Sequence, residues 1–260
     1  MRAAEYAFFD APFLAFAHRG GAAYAPNVGR ENTRHAFAEA VALGYRYLET
    51  DVHATADGGL LAFHDPLLDR VTNGSGAVAE RTAAELVEVR IGGRDAIPTL
   101  AELLEAFPAA RFNVDAKADP AVDLLADVIG AHDAFDRVCV SSFSPTRLHR
   151  LRRRLGVRVP TAVSSRGVVL HRFVPWLTRV LDSPAPALQV PLSARVGRRT
   201  VRITTPGLVR AAHRRGKQVH VWTVDDQPTI ERLVDLGVDG IFTDRPDTLK
   251  DVLVGRGLWS

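Results

Sequence analysis

The sequence predicts an α/β fold in which eight strand-helix units close into one (β/α)8 barrel of the TIM type. Three observations support this prediction. The chain has 260 residues, which is an ordinary length for such a barrel. Short apolar runs alternate with amphipathic segments along the chain. No G-x-G-x-x-G pattern follows the first apolar run, where His18-Arg19-Gly20-Gly21 stands instead, and its absence disfavours an open doubly wound sheet.

The strands are predicted from short apolar runs. These runs lie at 13–18, 46–52, 111–116, 137–143, 158–163, 187–192, 218–224 and 239–243. Helices are predicted where start and stop signals flank an apolar face, and the clearest lie at 32–43, 99–107, 206–215 and 227–236.

One strand-to-helix connection is longer than the others. After a turn at 55–59, residues 60–65 are predicted to return as a hairpin strand, followed by a glycine-rich loop at 73–76 and a short helix near 82–89. We interpret this stretch as a small insertion after the second strand, and we expect it to shape the active site because large βα loops of barrels do so. No linker or repeat divides the chain, so residues 1–260 are predicted to form a single domain.

The composition places the chain among ordinary globular domains. Its net charge is +3, and its arginines cluster at 147–154 and 195–202. The functional alternative is a surface for nucleic acid or anionic lipid, but we favour solvated surfaces. No spaced aromatic residues accompany the clusters, as they would in nucleic-acid-binding proteins. Glu5 and Asp10 interrupt the N-terminal apolar residues, and no run of 18 apolar residues exists, so we expect no signal peptide, no membrane span and a cytoplasmic location. Cys139, the single cysteine, is expected to be buried.

Charged side chains stand at the ends of the predicted strands, where a buried strand rarely carries them. Glu49 and Asp51 are spaced i, i+2 and therefore point to the same side of one strand, and Asp115 ends the next barrel strand. Because all parallel strand ends of a barrel meet at one face, the three carboxylates are expected to converge and to need a cation. Oxygen ligands favour Mg²⁺ or Ca²⁺, with Mn²⁺ as a third candidate, over zinc.

Histidines and cations end the same strands. His18 and His64 can act as general acid and general base, because imidazole titrates near neutral pH. Arg19 offers a planar fork that matches a phosphate, and Lys117 offers a point charge. Each residue alone is as readily explained by a structural role, but their shared position predicts a site for an anionic phosphodiester.

The sequence resembles the glycerophosphodiester phosphodiesterase family over nearly its whole length. The resemblance is carried by an ordered set of motifs: H-R-G at 18–20, E-N-T at 31–33, E-T-D-V at 49–52, T-A-D-G at 55–58, H-D at 64–65, P-T-L at 98–100, S-F at 142–143, W-T-V at 222–224, G-V-D-G-I at 237–241 and T-D-R-P at 243–246. It implies hydrolysis of a small glycerophosphodiester to glycerol 3-phosphate and an alcohol, assisted by one divalent metal ion, in a short cytoplasmic bacterial type of enzyme that is a monomer or homodimer.

The resemblance also assigns residue roles. It implies that His18 and His64 are the acid–base pair, that Arg19 and Lys117 bind the phosphate, and that Glu31 orients Arg19 or contacts the site. It further implies that Trp222 lines the pocket for the glycerol or the alcohol. The metal ligands it implies are Glu49, Asp51 and Asp115.

Two departures from the family pattern bear on the site. Asp115 stands where the family usually has glutamate, so its carboxylate reaches one methylene less far towards a metal. The first loop, 23–30, is longer than usual, and Arg30 replaces the proline before Glu31. Because this loop flanks the pocket, we expect it to affect substrate preference more than chemistry.

Three other functions are alternatives. Lysophospholipase D activity would use the apolar segment 168–177, with its flanking arginines, to contact an acyl chain or a membrane, although an ordinary barrel helix explains the same pattern. A catalytically silent phosphate-binding barrel is disfavoured, because a degenerate copy is expected to have lost at least one of the charged site residues. A nucleic-acid phosphodiesterase is disfavoured because stacking aromatics are missing.

Overall fold

The structure, a computed structural model, describes residues 2–259. Seven of its strands lie at predicted apolar runs and an eighth lies in the predicted hairpin at 60–65, whereas the short strands β4, β5, β9 and β10 were not predicted. They are β1 Leu14–His18, β2 Tyr47–Ala54, β3 Leu60–Ala62, β4 Arg90–Ile91, β5 Asp95–Ala96, β6 Arg111–Ala116, β7 Val138–Ser141, β8 Ala187–Pro191, β9 Ser193–Val196, β10 Arg199–Arg202, β11 Gln218–Trp222 and β12 Gly240–Thr243.

Seven of these strands form one curled parallel sheet in the order β7, β6, β2, β1, β12, β11, β8. The predicted strand at 158–163 is reduced to two parallel bridges, from Thr161 to Val140 and from Ala162 to Ala187. Pro160 has no amide hydrogen to donate and so shortens the pairing, although its carbonyl accepts from Val140. Because the two bridges join the edge strands β7 and β8, the sheet curls back on itself, and the barrel prediction is confirmed.

The helices lie on the outside of the sheet. They are α1 Arg34–Ala42, α2 Ala83–Leu86, α3 Leu100–Ala106, α4 Ala121–Ala131, α5 Pro145–Leu155, α6 Ser165–Phe173, α7 Thr178–Leu181, α8 Pro206–His213, α9 Gln227–Leu236 and α10 Pro246–Gly255. Short 3₁₀ helices lie at Ala3–Glu5, Ala7–Phe9, Ala25–Asn27, Val78–Glu80 and Pro175–Leu177. None of the helices within residues 2–259 is long and apolar enough to cross a membrane.

Side-chain caps fix where the helices begin. Helix α1 starts at Arg34 rather than at the predicted residue 32, because Thr33 is its N-cap and accepts from the Ala36 amide. Asn32 cannot continue the helix backwards, since its φ is +58°. Thr99 caps α3 in a capping box with Glu102, in agreement with the predicted start.

Two apolar layers support the barrel. The larger one lies between the sheet and the helices and includes Phe37, Leu103 and Phe112. The smaller one fills the barrel near the beginnings of the strands, where Phe16 stacks on Phe242 with ring centroids 4.2 Å apart. The buried Cys139 belongs to this inner layer. The carboxyl ends of the strands are therefore the open end of the barrel.

The segment between β2 and α3 has a small core of its own. Strand β3 pairs antiparallel with the end of β2, as the predicted hairpin requires. Six buried apolar side chains gather under this segment: Leu61, Phe63, Leu68, Val78, Leu86 and Ile91. Arg30 in the first loop forms two hydrogen bonds of 2.6 and 2.7 Å with Asp95, so the first loop is tied to this segment beside the barrel mouth.

Candidate active site

A cavity of about 480 Å³ opens at the carboxyl ends of the strands. Parallel register brings its charged residues level, because His18 pairs with Glu49 and Asp51 pairs with Asp115 across neighbouring strands. Eight of the nine residues predicted for the site line this cavity: His18, Arg19, Glu49, Asp51, His64, Asp115, Lys117 and Trp222. The ninth, Glu31, lies behind them.

Lys117 lies between two of the predicted carboxylates. Its Nζ is 2.8 Å from Asp51 Oδ1 and 2.7 Å from Asp115 Oδ2. Burial alone would lower the pKa of Lys117, but the two carboxylates outweigh burial and raise it. Burial alone would raise the pKa of Asp51, but Lys117 and Arg19 outweigh it and hold that pKa below its ordinary value. The ammonium group thus neutralises part of the acidic cluster from within the chain.

The positive charges near Glu49 do not outweigh the effect of its burial. It is buried, and burial together with the nearby charge of Asp51 raises the pKa of Glu49 above its ordinary value, against the opposing effects of His18, Lys117 and Arg19. A buried carboxylate in this state gains stability from any added positive charge. The negative charge of the acidic cluster is therefore only partly neutralised, although Lys117 already contacts two of its carboxylates.

The predicted metal ligands are close together but not arranged as a complete site. Within residues 2–259, no three acidic, histidine or cysteine side chains are grouped so that they could hold a metal ion. The physical reason is that Asp115 and one oxygen of Asp51 point to Lys117. In donor type and charge, Glu49 and Asp51 suit a hard divalent cation. Both offer carboxylate oxygens, and the nearby positive charges do not offset the burial of Glu49. The metal roles of the three carboxylates stay predictions.

His18 is fixed on both sides of its ring. Its Nδ1 is 2.7 Å from Asp244 Oδ1, and its Nε2 is 3.8 Å from Glu49 Oε2. Burial alone would lower the pKa of His18, but Glu49 and the hydrogen bond with Asp244 outweigh burial and raise this pKa. Asp244 is itself held, because its amide donates to Asp225 over 2.7 Å. The imidazole therefore has a set orientation, with Nε2 towards the acidic cluster.

His64 is held in a similar way but with more exposure. Its Nδ1 is 2.5 Å from Asp65 Oδ1, and about a third of its side chain is exposed. Asp65 also accepts from Arg70. Burial would raise the pKa of Asp65, but these hydrogen bonds lower it to about 2. A carboxylate that stays ionised keeps Nδ1 of His64 protonated, which leaves Nε2 for proton exchange.

Arg19 lies at the turn that leaves β1. Its φ is +51°, in the left-handed region, and its amide donates to Glu49 Oε2 over 3.1 Å. The next residue must be glycine, because a Cβ at Gly20 would stand 2.7 Å from Ala36 Cβ. The Arg19 guanidinium donates to Glu31 over 3.0 Å, and its Nε is 3.3 Å from Asp51 Oδ2. The turn thus directs both backbone and side-chain donors towards the carboxylates.

Glu31 orients the arginines and does not line the cavity. Besides Arg19, it accepts two hydrogen bonds from Arg70, at 2.9 and 2.7 Å. Since Arg70 also holds Asp65, it connects the support of Arg19 with the support of His64. Burial would raise the pKa of Glu31, but the arginines outweigh it and lower this pKa.

Most of the apolar lining of the cavity lies at the end formed by β8, β11 and the segments next to them, away from β1, β2 and β6. Trp222 and Phe143 meet there edge to face, with centroids 5.8 Å apart, and Lys117 Nζ lies 5.8 Å from the Phe143 ring. The other apolar residues of this end are Ala162, Val163, Val168, Val169, Pro191, Ala194 and Ile203. One end of the cavity can therefore bind an anion, while the other offers a surface for an uncharged or apolar group.

Sequence reasoning missed several residues that hold the site. Asp244 belongs to the motif at 243–246 but had no predicted role, although it binds His18 from 226 positions away in the chain. Arg70 gave no signal at all, because it lies in an irregular segment. Asn113 and Gln189 were also missed; they share a 2.6 Å hydrogen bond and line the cavity. The polar residues inside the predicted strands at 111–116 and 187–192 could have revealed this pair.

The chain is similar to a known family of phosphodiesterases. Residues 18–248 match the model of the glycerophosphoryl diester phosphodiesterase family. A probable glycerophosphodiester phosphodiesterase 2 of Mycobacterium tuberculosis is 41% identical over 254 residues, which cover 95% of this chain and 92% of the relative. A glycerophosphodiester phosphodiesterase of Caldanaerobacter subterraneus is 31% identical over 258 residues, covering 94% and 98%.

A solved structure shares the fold. An Oleispira antarctica phosphodiesterase, solved in complex with the product sn-glycerol-3-phosphate, superposes with a TM-score of 0.79. The match covers 96% of this chain and 99% of that chain at 23% identity, so it supports the fold alone. Together with the family match over most of the chain, these comparisons show that the chain belongs to the glycerophosphoryl diester phosphodiesterase family and is an enzyme of that class.

Proposed function

We propose that this chain hydrolyses glycerophosphodiesters to glycerol 3-phosphate and an alcohol, with His18 and His64 as its acid–base pair. One observation carries the proposal. Both histidines line one cavity, and a carboxylate engages Nδ1 of each ring, Asp244 for His18 and Asp65 for His64. Such pairing leaves Nε2 of each ring to exchange a proton with the substrate.

The phosphate would lie between the cations of the site. Arg19 and Lys117 line the cavity together, so their guanidinium and ammonium groups can contact non-bridging oxygens from different directions. Lys117 can shift from Asp115 to an incoming phosphate without leaving the acidic cluster, because it also contacts Asp51. Glu31 keeps Arg19 in place during this exchange.

The proposed metal ligands are Glu49, Asp51 and Asp115. Their oxygen donors suit Mg²⁺, Ca²⁺ or Mn²⁺, and a bound ion of this kind supplies Lewis-acid stabilisation of the charge on the phosphoryl group. Asp115 becomes available when Lys117 moves to the substrate. Because Asp115 is shorter than the usual glutamate, we propose that Glu49 and Asp51 contribute most of the affinity for the ion.

Proton transfer would be divided between the histidines. One imidazole Nε2 accepts the proton of the attacking oxygen, which belongs either to water or to the 2-hydroxyl of the substrate. In the second case the alcohol leaves a cyclic phosphate, and water must then open the ring at phosphorus to give glycerol 3-phosphate. The other imidazole donates a proton to the leaving alcohol. Detection of a cyclic phosphate in rapid-quench experiments would identify the 2-hydroxyl as the nucleophile.

We further propose that the chain works as one domain. The cavity is lined by residues that extend from β1 to β12 along the chain, so no part of it forms the site alone. The sequence leaves monomer and homodimer as alternatives, and sedimentation velocity would distinguish them.

The first experiment measures glycerol 3-phosphate release from glycerophosphocholine and glycerophosphoethanolamine, after EDTA treatment and after addition of each divalent ion. We expect activity to return with one or more ions. His18→Ala and His64→Ala are each expected to lower kcat roughly 10²- to 10⁴-fold. His149→Ala, an exposed histidine of α5 outside the cavity, is the matched control and should retain full activity. Full activity of either cavity variant would disprove its catalytic role.

A second candidate function is lysophospholipase D activity. The observation that favours it is the apolar end of the cavity, where Phe143, Val169 and Ile203 offer contact to an acyl chain. Faster release from lysophosphatidylcholine than from glycerophosphocholine would support this function. Release from neither substrate with any ion would support a barrel that only binds phosphate ligands.

A further inference from the structure

A second surface of the molecule lies beside the cavity mouth. It consists of residues 165–181, which contain α6 and α7, and of the hairpin β9–β10 at 193–202; we call it the arginine–apolar face. Large apolar side chains are exposed on it: Val169, Phe173, Trp176, Val180, Leu181 and Val196. Trp176 is 67% exposed and Val180 82% exposed, which are unusual values for side chains that gain free energy from burial.

The same face is strongly basic. Residues 165–202 contain seven arginines, at positions 166, 172, 179, 195, 198, 199 and 202, and a single acidic residue, Asp182. Asp182 is already engaged by Arg215 and Lys217, each 3.4 Å away. In the part of the chain that the structure describes, none of the seven arginines has a carboxylate within salt-bridge distance.

Helix α5 shows that this pattern is not general in the molecule. It is also rich in arginine, but Arg147 pairs with Asp119, Arg150 with Asp123, and Arg154 with Asp127. These ion pairs neutralise most of the positive charge of that helix. The arginines of the arginine–apolar face, by contrast, remain available to an external anion.

The two parts of the face are joined, and both border the cavity. Arg172 in α6 donates to the carbonyl of Arg202 over 3.0 Å, which connects the helix to the hairpin. Val169 and Ala194, one from each part, line the cavity itself. A partner that covers the face would therefore also surround the cavity mouth.

We propose that the arginine–apolar face docks on a bilayer that contains anionic phospholipid. Phe173, Trp176 and Leu181 would enter the interfacial region, where amphipathic aromatic rings are favoured. The exposed arginines would bind lipid phosphates around them. The cavity mouth then faces the membrane surface. This docking does not depend on the proposed catalytic function, because binding can be measured without turnover.

Two other occupants fit the face less well. A second copy of the chain would bring two arginine-rich surfaces together, which like-charge repulsion opposes. A nucleic acid would use the arginines but would leave Val180, Leu181 and Val196 without apolar contacts. A lipid bilayer satisfies both the charge and the apolar side chains.

The test is co-sedimentation of the full chain with phosphatidylcholine vesicles, with and without phosphatidylglycerol. We expect binding only to the anionic vesicles, and a blue shift of tryptophan fluorescence that is lost in Trp176→Ser. The double variant Arg198→Glu with Arg199→Glu should lower the partition coefficient roughly 30-fold or more, since each basic residue near the surface contributes about a factor of five to six.

A matched control separates this face from overall charge. Arg153→Glu with Arg214→Glu makes the same change in net charge at exposed positions of α5 and after α8. It should retain most of the binding, and thermal melts should show that all variants are folded. Absence of wild-type binding to anionic vesicles, or an equal loss in the control, would overturn the proposal. The proposal would also be overturned if the double variant Trp176→Ser with Leu181→Ser bound the vesicles as well as the wild type and duplex DNA displaced the vesicles.

Discussion

The two ends of the cavity are built in different ways. At the end formed by β1, β2 and β6, every charged side chain has partners; Lys117 contacts two carboxylates, and each histidine is held by one. At the other end, the lining includes the apolar side chains of Val169 and Ile203, and the nearby arginines have no carboxylate partners among the described residues. The difference suggests that the charged end determines the reaction, whereas the apolar end determines which substrate is accepted.

This comparison predicts that removing a partner at the charged end has the largest effect. Lys117→Met should lower kcat/KM for glycerophosphocholine roughly 10²- to 10³-fold, because the phosphate loses a preorganised charge. The affinity for the divalent ion should stay equal or become tighter, since Lys117 no longer competes for Asp51 and Asp115. Isothermal titration calorimetry of the metal-free protein measures that affinity.

Asp51→Asn is the matched comparison for Lys117→Met. It should weaken both turnover and binding of the ion, because it removes a proposed ligand. If Lys117→Met also weakened binding of the ion, Lys117 would support the ligands and would not compete with them.

Much of this charged end could be predicted from the sequence, because its signals are local. The i, i+2 spacing of Glu49 and Asp51 places both side chains on one side of β2, and strand ends of a parallel barrel necessarily meet. Lys117 was predicted to bind the phosphate, but its contacts with two of the carboxylates were not predicted. The three carboxylates indicated a need for positive charge, and the structure shows that Lys117 already satisfies part of it.

Long-range partners and strand lengths were harder to predict for physical reasons. Asp244 reaches His18 only because β12 lies next to β1 in the closed barrel, so no local pattern reports the contact. The run at 158–163 is apolar enough for a strand, but Pro160 limits it to two bridges. Arg70 lies in a segment whose course is set by its own small core, and periodicity gives no information about such a course.

Removing the carboxylate that holds His18 should have a smaller effect on turnover than removing Lys117. Asp244→Asn keeps the size of the side chain but replaces a charged acceptor by an amide. The imidazole therefore loses its fixed tautomer and one of the two carboxylates that raise its pKa, while Glu49 remains. We expect kcat to fall about 10- to 100-fold with little change in KM. Asp247→Asn is the control, because Asp247 pairs with Arg245 outside the cavity. A large rise in KM with unchanged kcat would instead indicate that Asp244 contacts substrate.

A substitution at the apolar end should have the smallest effect on turnover, and that effect should differ most clearly between two substrates. Val169 lines the cavity while about half of its surface is exposed, so a bound acyl chain would cover it only in part. Val169→Ala should therefore lower kcat/KM for lysophosphatidylcholine about threefold, since roughly one methylene equivalent of burial is lost. Activity on glycerophosphocholine, which has no acyl chain, should stay unchanged.

The control for this contrast is Val180→Ala, which shortens an exposed valine of the arginine–apolar face that does not line the cavity. With micelle-free, short-chain lysophospholipid it should match the wild type, because membrane docking plays no part in that assay. Equal losses on both substrates in Val169→Ala would mean that the mutation disturbs the charged end. The separation between reaction and substrate choice would then fail, and the cavity would have to be understood as a single unit.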